Sequence, residues 1–376
     1  MKICLFSRRC PYQMAGGIET YLLYLTQYLT KWGHEVILAY PSVSFNKVAK
    51  SMTWAMLKIL RIDASEICDS FQLASDVSKI DADIYHGQAQ HAFGFSTMRR
   101  IGRGSRRPFI CTAHGSAWGL IQNCPWLAVQ NKVLTLNMER AAFNASDKVI
   151  CVSNATRCEI MKGYGVKPDR TRVISNGVDP KKYLVKSLTK RKLHGSPDQF
   201  VITFFAKGGV RKGVQTSIRI LEGLCKEFSP KDEIMVQAIV DRNSFAYFSS
   251  ICLPRGWALY EDPAESLMLK LLSASDIFIF PTPYEGHSFA LLEAMAARNV
   301  VLTSSIQPNI ETVEDGVSGF TLDPVDSNAW VRCISNLYTD KKSTRRIQEN
   351  ALRRVGERFL AEVMCKKTLE LYESAV

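Results

Sequence analysis

No stretch of this chain reaches the roughly 18 to 20 consecutive apolar residues that a helix needs to cross a bilayer. A secretory leader is not expected either: the apolar run Ile3–Phe6 meets Ser7, Arg8 and Arg9 at once, too short for a leader and the right size for a first strand. The eleven cysteines include no Cys-x-x-Cys pair, and their odd, scattered number argues against a disulfide framework and against a zinc site. They read as small buried hydrophobes in a reducing cytosol. The fingerprint Gly-x-Gly-x-x-Gly is also missing, which counts against nicotinamide chemistry. No internal repeat or low-complexity segment interrupts the chain.

What is present is a globular composition, with 46% hydrophobic and 22% charged residues. At 376 residues the chain exceeds the length, about 250 to 300 residues, at which one core stops growing, so two domains are expected. Short apolar runs alternate with amphipathic stretches: Ile3–Phe6, helix Ile18–Leu29, Val36–Tyr40, Ile84–His86, Phe109–Ala113, Lys148–Val152 and Val173–Ile174. The same grammar returns with Phe200–Phe205, helix Val214–Phe228, Ile234–Val240, helix Ser266–Leu272, Ile277–Phe280, helix Leu291–Ala297 and Val300–Thr303. Alternation of this kind predicts α/β architecture with parallel sheets covered on both faces. Asn176-Gly177-Val178-Asp179-Pro180 and the basic stretch up to Gly195-Ser196-Pro197 read as a linker, with the domain boundary near residue 180. Residues 326–372 read as three helices without strands.

The sharpest chemistry lies in Glu285-Gly286-His287-Ser288-Phe289-Ala290-Leu291-Leu292-Glu293, where a strand ends, a tight loop follows and a helix begins. Ligands of open α/β sheets bind beyond the carboxyl ends of strands, where helix N-termini offer free N–H groups and the positive end of the dipole, and a pyrophosphate suits such a place. Eight helical residues rise about 12 Å, so Glu285 and Glu293 could contact opposite ends of an extended nucleotide-sugar, one reading sugar hydroxyls and the other ribose hydroxyls. Lys207, Arg211 and Lys212 follow a strand and precede a helix, where positive charge opposes the dipole and invites an anion. Gly16 and Gly17 punctuate the first strand-to-helix turn, and His114 closes the strand Phe109–Ala113. Solvated carboxylates, decorative lysines and a packed strand-end histidine are the competing readings.

The Glu-x7-Glu segment resembles that of the retaining GT-B glycosyltransferases of glycosyltransferase family 4. Ala15-Gly16-Gly17-Ile18-Glu19 resembles the family's phosphate-facing glycine loop, and Val152-Ser153 with Val173–Asp179 its strand before the linker. Lys207-x4-Lys212-Gly213 is similar to its pair of basic residues for the donor pyrophosphate. The co-linearity of these segments along nearly the whole chain is more specific than any one of them.

The resemblance implies two Rossmann-like domains facing a central cleft. An acceptor-binding domain would span residues 1–180 with a returning C-terminal helix at about 359–376, and a nucleotide-sugar-binding domain residues 181–358. It implies metal-independent transfer with retention and an α-linkage, with no resident cofactor and a UDP- or GDP-sugar ahead of an ADP-sugar as co-substrate. Glu285, His114, Lys212 and Lys207 would carry catalysis. Gly16, Gly17, Lys207, Lys212, Glu285, Gly286, His287, Ser288, Phe289, Ala290 and Glu293 would hold the donor, and no residue would hold a metal. Lys207 in place of the usual arginine, Gly286-His287-Ser288 in place of Gly-Phe-Gly, and Arg298-Asn299-Val300 in place of Gly-x-Pro depart from the family and leave the donor's identity open.

Charge is the only hint about the acceptor. Residues 1–178 hold 22 Lys and Arg against 12 Asp and Glu, and the remainder 26 against 24, so nearly all of the net +12 sits in the first half. A helix over 45–61 would gather Lys47, Lys50, Lys58 and Arg61 within about 80° of a wheel, with Trp54 among them and Met52, Met56, Ile59 and Leu60 opposite. Residues 98–107 add five arginines. The two segments read as an electropositive rim near the acceptor cleft, and the expected acceptor is a lipid-linked, phosphorylated or otherwise anionic glycan. The corresponding location is the cytoplasm, peripheral at the inner face of a membrane, and a nucleic-acid partner is not expected. Three other readings stay open: a GT-B module that binds without catalysis, a transferase with a small soluble acceptor, and a nucleotide-sugar epimerase.

Overall fold

The computed structural model describes residues 1–12, 16–41, 65–127, 132–183, 186–194, 196–228, 234–249 and 257–376. The proposed helix over 45–61 and Ala15 lie outside them. The contacts divide the chain into two units, Met1–Asn176 with Ala361–Val376, and Gly177–Leu360.

The first unit is built on β1 (Lys2–Phe6), β2 (Glu35–Ala39), β3 (Ile84–Gln88), β4 (Phe109–Ala113), β5 (Lys148–Cys151) and β6 (Thr171–Val173), in the spatial order β2-β1-β3-β4-β5-β6. Every pairing is parallel. β1, β3 and β4 are short runs buried on both faces, as a sheet covered by helices requires. Phe6, Phe95 and Phe109 form the aromatic centre of one face, with ring centroids 5.1 Å apart for Phe6–Phe95 and for Phe95–Phe109.

The second unit uses β7 (Phe200–Ala206), β8 (Ile234–Val240), β9 (Ala258–Glu261), β10 (Ile277–Phe280), β11 (Val300–Ser304) and β12 (Gly319–Leu322), ordered β12-β11-β10-β7-β8-β9 and again wholly parallel. Two six-stranded, doubly wound sheets are the α/β architecture that the alternating pattern predicts. β9 and β12 were not legible in that pattern, because four-residue edge strands that are only partly buried carry no continuous apolar run.

The linker reading needs a correction. Residues Lys186–His194 form a helix, and Lys190 inside it is buried in an ion pair with Asp276, whose carboxylate also accepts the N–H of Val201 at 2.9 Å. Its scarcity of apolar residues hid an element that docks through a buried charge. The three C-terminal helices are Ser327–Thr339, Lys341–Arg358 and Ala361–Glu373, without intervening strands.

The last helix belongs to the first unit, and a buried polar chain fastens it there. The Tyr372 hydroxyl is hydrogen-bonded to His86 Nδ1, and the other ring nitrogen, Nε2, lies 2.6 Å from Thr112 Oγ1. Thr112 Oγ1 lies 3.3 Å from the hydroxyl of Tyr21, on helix Gly17–Lys31. Burial holds His86 neutral, its pKa pushed down to about 3. In a low-dielectric interior an unmatched member of such a chain is costly. Tyr372→Phe should therefore lower stability by about 1–3 kcal/mol, because it leaves a His86 nitrogen unsatisfied at nearly constant volume. Urea unfolding of the full chain measures this, and an unchanged midpoint would refute it.

Candidate active site

In the second unit the chain runs from β7 outward to β8 and β9, then returns to place β10 on the other side of β7. The loops leaving β7 and β10 therefore diverge from adjacent strands, and that crevice is the place where doubly wound sheets bind ligands. Lys207–Lys212 leaves β7 and Pro281–Ser288 leaves β10, so Lys207, Lys212, Glu285, His287 and Ser288 are all brought to one edge.

Glycine conformation makes the approach possible. Gly213 has φ +71, and a Cβ there would lie 1.9 Å from the carbonyl oxygen of Pro281. Only a residue without a side chain lets the two backbones touch. The contact sets Lys212 against Glu285. Their side chains form an ion pair, with 13% and 9% of their surfaces exposed. The Thr282 hydroxyl lies 3.0 Å from Glu285 Oε1 and 3.2 Å from the Arg211 carbonyl, within donating reach of both. The Lys212 ammonium also stands 5.1 Å from the centroid of the Phe280 ring. Burial pulls the Lys212 pKa below the ordinary lysine range, and Glu285 opposes that pull.

Lys207 is paired differently, with Asp262 Oδ1 at 3.0 Å, and Asp262 follows β9 at a positive φ of 40°. Sequence reasoning missed Asp262, whose signal is a strained backbone that no pattern displays. It also missed Ser244, which accepts the Gly209 N–H at 3.1 Å and so ties the lysine loop to helix Arg242–Ser249.

Helix Phe289–Ala296 starts at Ser288, whose hydroxyl accepts the Leu291 N–H at 3.4 Å. The backbone of Gly286 to Ala290 thus lies at the positive end of a helix whose first N–H groups face the loop. The His287 ring packs against Phe359, centroids 5.3 Å apart, and burial lowers its pKa to about 4. The imidazole is thus neutral and packed. Glu293 lies further along the helix. Burial raises its pKa to about 7, Lys182 pulls it down and Glu265 adds to the rise.

The first unit offers a similar edge. β1 and β3 are neighbours whose connections diverge; Gly16–Gly17 follow β1, Gln88 ends β3 with His91 beyond it, and His114 comes after the adjacent β4. Gly16 is the extended N-cap of helix Gly17–Lys31, and a Cβ on it would come 2.3 Å from Oε2 of the buried Glu19. His114 Nε2 is 2.8 Å from Gln88 Oε1, and its ring meets Tyr21 edge-on at 5.0 Å. Burial lowers the His114 pKa to about 3. Gln88 and His91, which is 3.1 Å from Ser7 Oγ through Nδ1, were not singled out in the sequence.

One expectation is overturned. Residues 98–107 are not beside this edge: they connect helix Phe93–Arg100 to β4 and so lie at the amino ends of the strands, a strand's length away, because a loop that feeds a strand opens at its start. Arg99 is engaged there with Asp147 at 2.8 Å. The chain also contains one Asp-x-Asp, Asp81-Ala82-Asp83, but it sits before β3, where Asp83 accepts the Lys2 N–H at 2.8 Å. Among the described residues no cluster of three or more His, Cys, Asp or Glu is placed to hold a metal ion.

Known proteins match both halves. Residues 15–182 match Glycosyltransferase Family 4, and residues 258–354 match Glycosyl transferases group 1. An uncharacterised glycosyltransferase of Methanocaldococcus jannaschii is 23% identical, the alignment covering 100% of this chain and 99% of that protein. Alpha-maltose-1-phosphate synthase of Mycolicibacterium smegmatis is 26% identical over 70% of this chain and 72% of its own length. Among solved structures, Anabaena HepE in complex with UDP-glucose superposes with a TM-score of 0.73 at 18% identity, covering 100% of both chains.

The Glu293 pKa sets a pH dependence. A carboxyl group whose pKa rises from 4.5 to about 7 on folding contributes stability that is present below the lower value and is lost as pH rises through the upper one. Glu293→Gln, which mimics the protonated form at every pH, should match the wild type below about pH 4 and melt at a higher temperature near pH 8.5. Equal melting temperatures at pH 8.5 would contradict the buried carboxyl.

Proposed function

Because this chain is a GT-B glycosyltransferase resembling glycosyltransferase family 4, we propose that it moves a hexosyl group from a nucleotide-sugar, UDP-glucose first among candidates, to a phosphate-bearing or glycan acceptor with retention of the α configuration. The observation that carries this reading is the Lys212–Glu285 pair, flanked by Lys207 and by the N-terminus of helix Phe289–Ala296 at the strand switch point. The structure of HepE with UDP-glucose supports the donor class, and the maltose-1-phosphate relative supports an anionic acceptor.

In this reading the donor pyrophosphate lies on Lys207, Lys212 and the N–H groups of His287 to Ala290. Glu285 orients the sugar through its hydroxyls, and Glu293 accepts from the ribose. The C1–O bond to the leaving diphosphate breaks as the acceptor oxygen bonds C1 from the same face, and the acceptor's proton passes to the leaving phosphate oxygen. The charge that develops on the diphosphate is met by two fixed ammonium groups and a helix dipole, the preorganised stabilisation that lowers such a barrier. The reaction needs no resident cofactor and no metal ion. Gly16, Gly17 and His114 are the first unit's candidates for contact with donor phosphate and transferred sugar. His114 stays neutral, with Nε2–H committed to Gln88.

Incubation with UDP-, GDP- and ADP-glucose and with glucose, glucose 1-phosphate or a glycan acceptor tests the reading through nucleoside diphosphate release and the anomeric coupling constant of the product. UDP-glucose should be consumed and the product should be α-linked. Lys212→Ala or Glu285→Ala should lower turnover by about 10²–10³ when assayed well below the melting temperature of each variant, which falls because a buried charge loses its partner. A β-linked product, or near-full activity in both variants, would overturn the assignment.

A further inference from the structure

The amino ends of β5 and β6 and helix Ala361–Glu373 enclose a cleft of about 520 Å³ in the first unit. It opens at the edge of the sheet opposite to Gly16 and His114, so it belongs to no part of the site above. Lys148, Arg157, Arg172 and Lys367 line it, against Asp169 and Glu370. Among the described residues no ion pair within 4 Å joins any of these six side chains.

Two of the cations are instead aimed by neutral groups. Lys148 Nζ donates to the Asp169 carbonyl at 2.9 Å. Arg157 Nε donates to Thr171 Oγ1 at 2.8 Å, and its terminal nitrogen to the Pro168 carbonyl at 3.4 Å. Such bonds fix direction and leave charge uncompensated. Arg172 and Lys367 are exposed. The field is reinforced from the side: Arg99 and the Phe109 N–H both bind the carboxylate of Asp147, the residue before Lys148, at 2.8 Å, so that nearby acid is already engaged. Exposed Arg100, Arg103, Arg106 and Arg107 stand before β4, one strand over from Lys148.

We propose that this cleft is a second binding site of the chain and that its ligand carries a phosphate group. Convergent guanidinium and ammonium groups match the several oxygens of a phosphate dianion. The volume falls within the range of small-molecule sites. Among the described residues no aromatic side chain lines the cleft to stack a nucleobase, so the recognised part is the phosphate with its immediate ester, from a soluble sugar phosphate or from a lipid headgroup. The inference does not depend on the donor-site reading, since none of its residues has a part there.

The test uses the full chain at 150 mM NaCl with two probes, fructose 1,6-bisphosphate in solution and phosphatidic acid in phosphatidylcholine vesicles, with pure phosphatidylcholine vesicles as the blank. The variant is Arg172→Glu with Lys367→Glu, two exposed positions whose reversal leaves the core untouched. Binding of either probe by the wild type, weakened at least tenfold in the variant at an unchanged melting temperature and an unchanged thermal shift with UDP-glucose, supports the site. The bisphosphate identifies a soluble ligand, and vesicles alone a headgroup. If the variant melts early, Lys367→Gln alone should still weaken binding at least threefold. Absence of binding to both probes, or equal binding by wild type and variants, overturns the proposal.

Discussion

The second unit's site depends on one backbone contact, Gly213 against the carbonyl of Pro281. Everything that gives the crevice its chemistry follows from how closely those two loops approach. With a side chain at 213 the lysine loop would stand off from the end of β10, Lys212 would lose Glu285, and a nearly buried ammonium would be left without its counter-charge. A buried ion pair contributes little net stability, but breaking one partner away is expensive. The pair is therefore better understood as a device that fixes two side chains in one geometry than as a source of stability.

The arrangement also explains why a few groups suffice. Lys212 is held by Glu285, Lys207 by Asp262, and the helix N-terminus by the Ser288 cap. Each positive group meets a partner that orients it. On the proposed reading, a diphosphate entering such a crevice meets charge that is already pointed, and the reorganisation that water would need is avoided.

Much of this was legible in the sequence, for identifiable reasons. Buried parallel strands announce themselves as apolar runs, and Phe200–Ala206 and Ile277–Phe280 appear almost to the residue. Glu285 and Glu293 could be placed on a loop and a helix because Gly286 and the apolar Phe289–Leu292 mark the turn and the helical face. Edge strands β9 and β12, the helix Lys186–His194 and the partner Asp262 were not legible, since each depends on a long-range contact that leaves no local pattern. The charge surplus of residues 1–178 was read correctly as a quantity, but its arginines at 98–107 were placed wrongly. Composition counts arginines, whereas only topology says that residues 98–107 feed the start of a strand and stand away from the edge where His114 sits.

The central claim is that Lys212 and Glu285 act on the donor as one unit, and a double-mutant cycle on kcat/KM for UDP-glucose tests it most directly. If the pair is a unit, the losses in Lys212→Ala and in Glu285→Gln will each approach the loss in the double variant, far from multiplying. Losses that multiply would show two independent contacts, and the pair would then be a feature of the fold with no share in the chemistry.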